Sequence, residues 1–233
     1  MKLLALDTST SVLTAAVCGD ARLLAETYVD CGRAHSERLM ATVDWLLNQA
    51  SLTLRDLDGL AVAVGPGSFT GLRIGVSAMK GLAFAMELPL VPVSTLDALA
   101  QGSAIANGMV CPLLDARMKE VYAAVYRFEQ GRREKTLDDR VAPIDAVLDE
   151  LGEGPVLFVG DGAALYGDRI RERMPAARFG PLAVGPRASA VAVEALAKLS
   201  MGGTNPAADV SPVYLRKSQA ELARENQTAF TGS

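Results

Sequence analysis

Gly59-Leu60-Ala61-Val62-Ala63-Val64-Gly65-Pro66-Gly67-Ser68-Phe69-Thr70-Gly71 is an apolar run that halts on a glycine- and proline-rich turn and restarts as a helix. Residues 59–64 have the length and continuity of a buried strand, and Gly65-Pro66-Gly67 is turn chemistry. A helix is predicted from Phe69 to Glu87. A strand that feeds a helix this tightly is one βα unit of a sheet with helices packed on it.

Working outward, residues 2–7, 11–18 and 22–29 read as three consecutive strands, with Ser/Thr or Gly/Asp at the turns between them. A helix over 36–49 carries Leu39, Val43, Leu46 and Ala50 on one stripe. Beyond the central unit come a strand at 90–93 and a helix opened by Ser94, with Asp97 at the spacing of a capping box. The second half repeats this order. Strands at 110–115, 119–128 and 135–142 lead to a helix starting at Pro143, which suits a first helical turn. A strand at 155–159 ends in Gly160-Asp161-Gly162. A helix over 163–174, a strand near 177–180 and a helix over 189–201 close the pattern.

Both halves read βββαβαβα, and in both the first strand ends in aspartate (Asp7, Asp115) and the fourth in glycine (Gly65, Gly160). Three antiparallel strands followed by βα units imply a mixed sheet. The expected fold is α/β with two duplicated RNase H-like lobes, the arrangement of actin-like and sugar-kinase-like ATPases. The lobes are expected at 1–108 and 109–211, with a tail over 212–233 that packs on the first lobe.

Of 233 residues half are apolar, the net charge is −4, and no block of Lys or Arg stands out. A chain that grips RNA unaided shows a basic face, so unaided nucleic-acid binding is not expected. No run of eighteen apolar residues exists, and the start is interrupted too soon for a signal peptide. Cys18, Cys31 and Cys111 are odd in number and far apart, the pattern of reduced thiols. A soluble cytoplasmic protein that avoids membranes is the expectation.

Several positions could carry chemistry. The loop Gly65-Pro66-Gly67-Ser68-Phe69-Thr70-Gly71 opens a helix, where free N–H groups can hold an anion. It is neither a Walker A loop nor a dinucleotide fingerprint, and a plain tight turn is the competing reading. Asp7, Thr8 and Ser9 in the first hairpin, Asp115 in the second, and Gly65, Gly67, Gly160 and Gly162 are candidate vestigial nucleotide or phosphate positions. Ser9 and Ala116 stand where bare backbone would admit phosphate. The alternative is that Asp7 and Asp115 accept hydrogen bonds from turn backbone. His35, the single histidine, has no second ligand at metal-binding spacing; a hydrogen-bonding residue at a helix start is expected. No metal, cofactor or catalytic residue is assigned.

The two helices of the first half look greasier than one packing stripe requires. At about 100° per residue, Gly71, Gly75, Ala78, Leu82 and Ala85 fall on one side, flanked by Leu72, Ile74 and Met79. A helix apolar around most of its circumference is buried on two sides. The preceding helix adds Leu39, Met40, Val43, Trp45, Leu46 and Leu47. These residues are the expected partner interface; burial within the monomer is the competing reading. Glu placed at Gly75 or Ala78 is expected to abolish partner binding and leave the fold intact.

The segments LLALDTST, GRAHSERLM, GPGSFTGLRIGVSAMKGLAFA, LLDARMKEVYAA and SPVYLR together resemble the bacterial TsaB (YeaZ) family, over nearly the whole chain. The resemblance implies a part in making N6-threonylcarbamoyladenosine at adenosine 37 of tRNAs reading ANN codons. It implies a non-catalytic subunit that forms a heterodimer with the related catalytic protein TsaD and recruits TsaE, with a homodimer in isolation and tRNA met only through the complex. The catalytic relative carries a His-x-x-x-His metal pair where this chain has Thr95 and Leu99. The alternative within the same fold is an ATP-dependent phosphotransferase or a glycopeptidase-like hydrolase.

Overall fold

The computed structural model describes residues 1–19, 22–32, 34–103, 107–180, 185–203 and 206–216. Two five-stranded sheets organise it, in the orders β3-β2-β1-β4-β5 and β10-β9-β6-β7-β8. The first comprises β1 (Lys2–Asp7), β2 (Val12–Gly19), β3 (Arg22–Asp30), β4 (Gly59–Gly65) and β5 (Leu90–Ser94). The second comprises β6 (Gly108–Arg117), β7 (Glu120–Glu129), β8 (Arg132–Pro143), β9 (Val156–Val159) and β10 (Arg178–Phe179). In each, the first three strands are antiparallel and the last two join in parallel. Read from opposite edges, the two sheets follow one path. This is the duplicated α/β arrangement expected.

The central strands are covered on both faces, which is why they read as continuous apolar runs and not as alternating ones. Leu4 and Leu6 of β1 point into a core roofed by α1 (His35–Gln49) and α2 (Phe69–Met86), while Leu3 and Ala5 point the opposite way. That second face is roofed by α7 (Ala188–Ser200), through Ala188, Val191, Ala192 and Ala195. Helix α3 (Thr95–Gly102), although it follows the first sheet in sequence, packs through Leu96, Leu99 and Ala100 on Val110, Leu114, Tyr126 and Phe128 of the second.

The lobes therefore share helices. A boundary at 108/109 separates the strands but not the packing, because α7 closes the first core, and α3 lies between the lobes, with Ala98 packed in the first core and Leu96, Leu99 and Ala100 in the second. Chain continuity led the sequence reading to leave each helix with its own half. A second correction concerns the helix expected over 163–174. It is two short helices, α5 (Asp161–Leu165) and α6 (Gly167–Arg173), broken at Tyr166 with φ −103° and ψ 14°. Helix α4 (Ile144–Glu150) starts one residue after Pro143, its N-cap.

The capping box expected at Ser94 is half formed. Its Oγ accepts from Asp97 N at 3.4 Å, but the Asp97 carboxylate turns away to Tyr126 and Lys135. The reciprocal box forms at Thr53 and Asp56 instead. After α7 the chain returns to the first lobe. Val210 sits in the core beneath α2, and Val213 N donates to Val64 O at 2.7 Å.

Candidate functional site

Asp7 closes β1 and is fully buried. Its Oδ1 accepts from both the backbone N–H and the hydroxyl of Ser9, each at 2.7 Å. Oδ2 has no partner among the described residues. Burial raises this carboxyl to about 6, against the opposing pull of the Ser9 bonds. The aspartate thus serves the turn that follows it.

That turn rests on the glycine-rich loop. Ser68 N donates to Ser9 O at 2.6 Å, and Ser68 Oγ caps Gly71 N at 3.3 Å. Two N–H groups at the start of α2 that an anion would need are thereby used by the chain itself. A β-carbon at Gly67 would run into the Ser9 carbonyl, and one at Gly71 into the Thr8 carbonyl. Gly65, at φ +118°, leaves only 2.6 Å between such a carbon and Val213 O. Gly65, Gly67, Thr8 and Ser9 thus form a self-packed turn.

The second lobe repeats the device. Gly160, at φ +97°, and Gly162 lie against the Leu113 backbone with no room for a side chain. Asp115 N donates to Asp161 Oδ1 at 3.0 Å, and burial, reinforced by the neighbouring Asp115 charge, raises the Asp161 carboxyl. Asp115 accepts from Arg117 N at 2.8 Å and pairs with the Arg117 guanidinium at 3.0 Å. His35, the first residue of α1, is buried with Nε2 3.4 Å from Val12 O, the hydrogen-bonding role expected. Thr95 and Leu99 are both buried on α3. Among the described residues, no three His, Cys, Asp or Glu side chains converge as a metal site.

The outer surface of α1 and α2 differs from the face expected. Leu39, Val43, Leu46 and Leu47 of α1, and Leu72 and Met79 of α2, are core residues of the first lobe. Gly71 and Gly75 face inward too, because a β-carbon at either would collide with Thr8. These eight are corrected from interface to core: their smallness or apolarity serves the protomer's own packing. Ile74, Ala78 and Leu82 are half-buried along one flank of α2. The opposite flank carries Phe69, Arg73 and Lys80, to which residues 208–214 are strapped.

What remains outside is strongly apolar. Phe84 is 86% exposed, Trp45 52% and Met40 49%, with Gly81 and Ala85 also open. Phe84 lies on the side of α2 opposite the buried Gly75 and Met79. A tryptophan and a phenylalanine on adjoining helices, bordered by half-buried aliphatic residues, make an anchor set that water solvates poorly.

A family model described as TsaD, tRNA N6-adenosine threonylcarbamoyltransferase, matches residues 29–224. The chain is 35% identical over 228 residues to the tRNA threonylcarbamoyladenosine biosynthesis protein TsaB of Bacillus subtilis (strain 168), covering 95% of this chain and 96% of the relative. The solved structure of YeaZ from Pseudomonas aeruginosa is 32% identical, covering 92% of this chain and 99% of that one, with a TM-score of 0.80. At 10% identity, the activator of 2-hydroxyisocaproyl-CoA dehydratase from Clostridium difficile with bound ADPNP superimposes with a TM-score of 0.50, over 87% of this chain and 97% of that one. That last likeness is one of fold.

Proposed function

The chain belongs to the TsaB family of tRNA threonylcarbamoyladenosine biosynthesis proteins, and from this premise we propose that it acts as the docking subunit of the transferase TsaD. It has a role in making threonylcarbamoyladenosine in tRNA. In our reading the reaction takes place on TsaD, TsaE joins the pair, and tRNA is met through the assembly in the cytoplasm. Without TsaD, two copies pair through the same helices.

One observation carries the reading: Phe84 of α2 and Trp45 and Met40 of α1 are each left exposed by the protomer's own packing. Aromatic anchors of this kind supply most of the binding energy in interfaces that bury about 800 Å² per partner. The TsaD family model spans 29–224, which includes both helices. A related chain would offer an equivalent pair of helices, so the two could meet face to face in a four-helix layer with pseudo-twofold symmetry.

The self-packed turn between β1 and α2 supports the non-catalytic half of the reading. Its helix N-terminus is capped by Ser9 and Ser68, and its glycines are packed against the chain's own backbone. One feature favours the enzyme alternative, the unpartnered Oδ2 of Asp7. A modification assay with purified TsaD, TsaE, a separate source of threonylcarbamoyl-adenylate and tRNA tests both. Omitting this chain is expected to reduce product formation to background, and this chain alone is expected to form none. Product from the lone chain, or full activity without it, overturns the proposal.

A further inference from the structure

The two sheets define two bodies, with α7 on the first and α3 wedged between them. Helix α7 sits on the first sheet, and β8 is an edge strand of the second. Arg133 of β8 joins them through a two-pronged ion pair with Glu194 of α7, Nη1–Oε1 at 2.7 Å and Nη2–Oε2 at 2.8 Å. These side chains are only 20% and 10% exposed. Arg133 Nη1 also donates to Asp97 O at 2.9 Å.

Neighbours hold this clasp in shape. Lys135 Nζ bridges Asp139 at 2.7 Å and Asp97 at 2.8 Å, and Tyr126 donates its hydroxyl to Asp97 at 2.7 Å. A second bond crosses the bodies here, from Ser94 Oγ at the end of β5 to Asp139 Oδ2 at 2.7 Å.

A separate clasp lies elsewhere. Residues 210–214 are fixed to the first lobe by the Val213–Val64 bond and by Tyr214, stacked on Phe69 at 4.6 Å. Arg216 then reaches the second lobe, donating to Ala116 O at 2.9 Å and pairing with Glu120 at 3.2 Å. Arg133 is registered with Phe128 on β7, eight residues from Glu120, so the clasps stand about 26 Å apart along that strand. Either clasp alone opposes a change in lobe angle, and the two act at opposite ends of β7.

We propose that the Arg133–Glu194 clasp and the Arg216 strap together lock the two lobes at a single angle, making this chain a rigid platform. A forked guanidinium–carboxylate pair is satisfied in one orientation only, so it selects one lobe angle more sharply than apolar packing would. This inference does not depend on which partner docks.

Small-angle scattering and hydrogen exchange on the full chain test it, using Glu194→Gln, Arg216→Ala and the two combined. Each single variant should keep the parental scattering curve, since one clasp remains. The combination should enlarge the radius of gyration and speed amide exchange in α3 and α7 roughly tenfold, with the central strands of both sheets unchanged. If Glu194→Gln fails to fold, Arg133→Met with Glu194→Met, combined with Arg216→Ala, replaces it, because apolar substitutes keep the packing. Unchanged scattering and exchange in the combined variant would overturn the lock. So would acceleration spread evenly over every element, the mark of a pair that only adds global stability.

Discussion

Gly75 of α2 lies so close to Thr8 that a β-carbon on the glycine would occupy the space of the threonine hydroxyl. That hydroxyl donates to Gly71 O at 2.8 Å, one turn earlier on the same helix. Helix and turn are thus in backbone-to-side-chain contact, and the two glycines make that approach possible. Gly75→Ala should destabilise the protein by about 1–3 kcal/mol through overpacking. Gly81, on the same helix with nothing within 4 Å of its would-be β-carbon, should respond oppositely. Gly81→Ala should stabilise by ~0.5–1 kcal/mol. Thermal unfolding of both variants measures the contrast.

The same geometry explains what the sequence could and could not reveal. The succession of elements was legible because β1, β2 and β4 are covered on both faces and read as unbroken apolar runs between turn residues. The glycine stripe of α2 was legible as a stripe but not by destination. Smallness permits a close approach, and periodicity does not say whether the approaching body is a partner or Thr8. Helix ownership was hidden for a related reason. An apolar face on α7 shows that something is covered, and only the tertiary path shows that the first sheet is what it covers.

Asp7 links the turn after β1 to pH. Its carboxyl titrates near 3.8 in an unfolded chain and at about 6 when buried in the fold. Between these values the native state holds the extra proton, so the stability owed to this group is complete below about pH 4. It falls as pH rises through 6 and is absent above. Asp7→Asn removes the titration while keeping an oxygen for the Ser9 bonds. The variant should gain roughly 1–3 kcal/mol over the parent at pH 7.5, with the gain vanishing near pH 4. Denaturant melts across that range check the sign.

The three thiols should react in a fixed order. Cys111 is completely buried and its thiol is raised by that burial; Cys18 is nearly buried, and burial together with the Glu26 charge raises it too. Cys31, half-buried with Sγ 3.8 Å from Ser11 O, is the accessible one. Under native conditions an alkylating reagent should modify Cys31 alone, with Cys18 and Cys111 following only on unfolding. Intact mass measured over time gives the count, and peptide mapping the order.

The strap along α2 predicts a stability effect separate from docking. Arg73 lies 4.0 Å over the Phe69 ring and donates to the Tyr214 hydroxyl at 3.1 Å, while Lys80 holds the carbonyls of Ala208 and Val210 at 2.8 Å each. Tyr214→Ala should cost about 0.5–1.5 kcal/mol, the range of a stacked aromatic pair. Its effect on the melting temperature should be larger than that of Ser77→Ala one turn away.

The outer face of α1 and α2 is the decisive surface. Phe84→Asp combined with Trp45→Asp places charge on the two most prominent anchors without touching the core. The measurement is the dissociation constant for purified TsaD, with melting temperature recorded for each chain. The expected result is at least a roughly hundredfold loss of affinity, in keeping with two central anchors, and an unchanged melt. Undiminished binding by the doubly substituted chain would contradict the docking account.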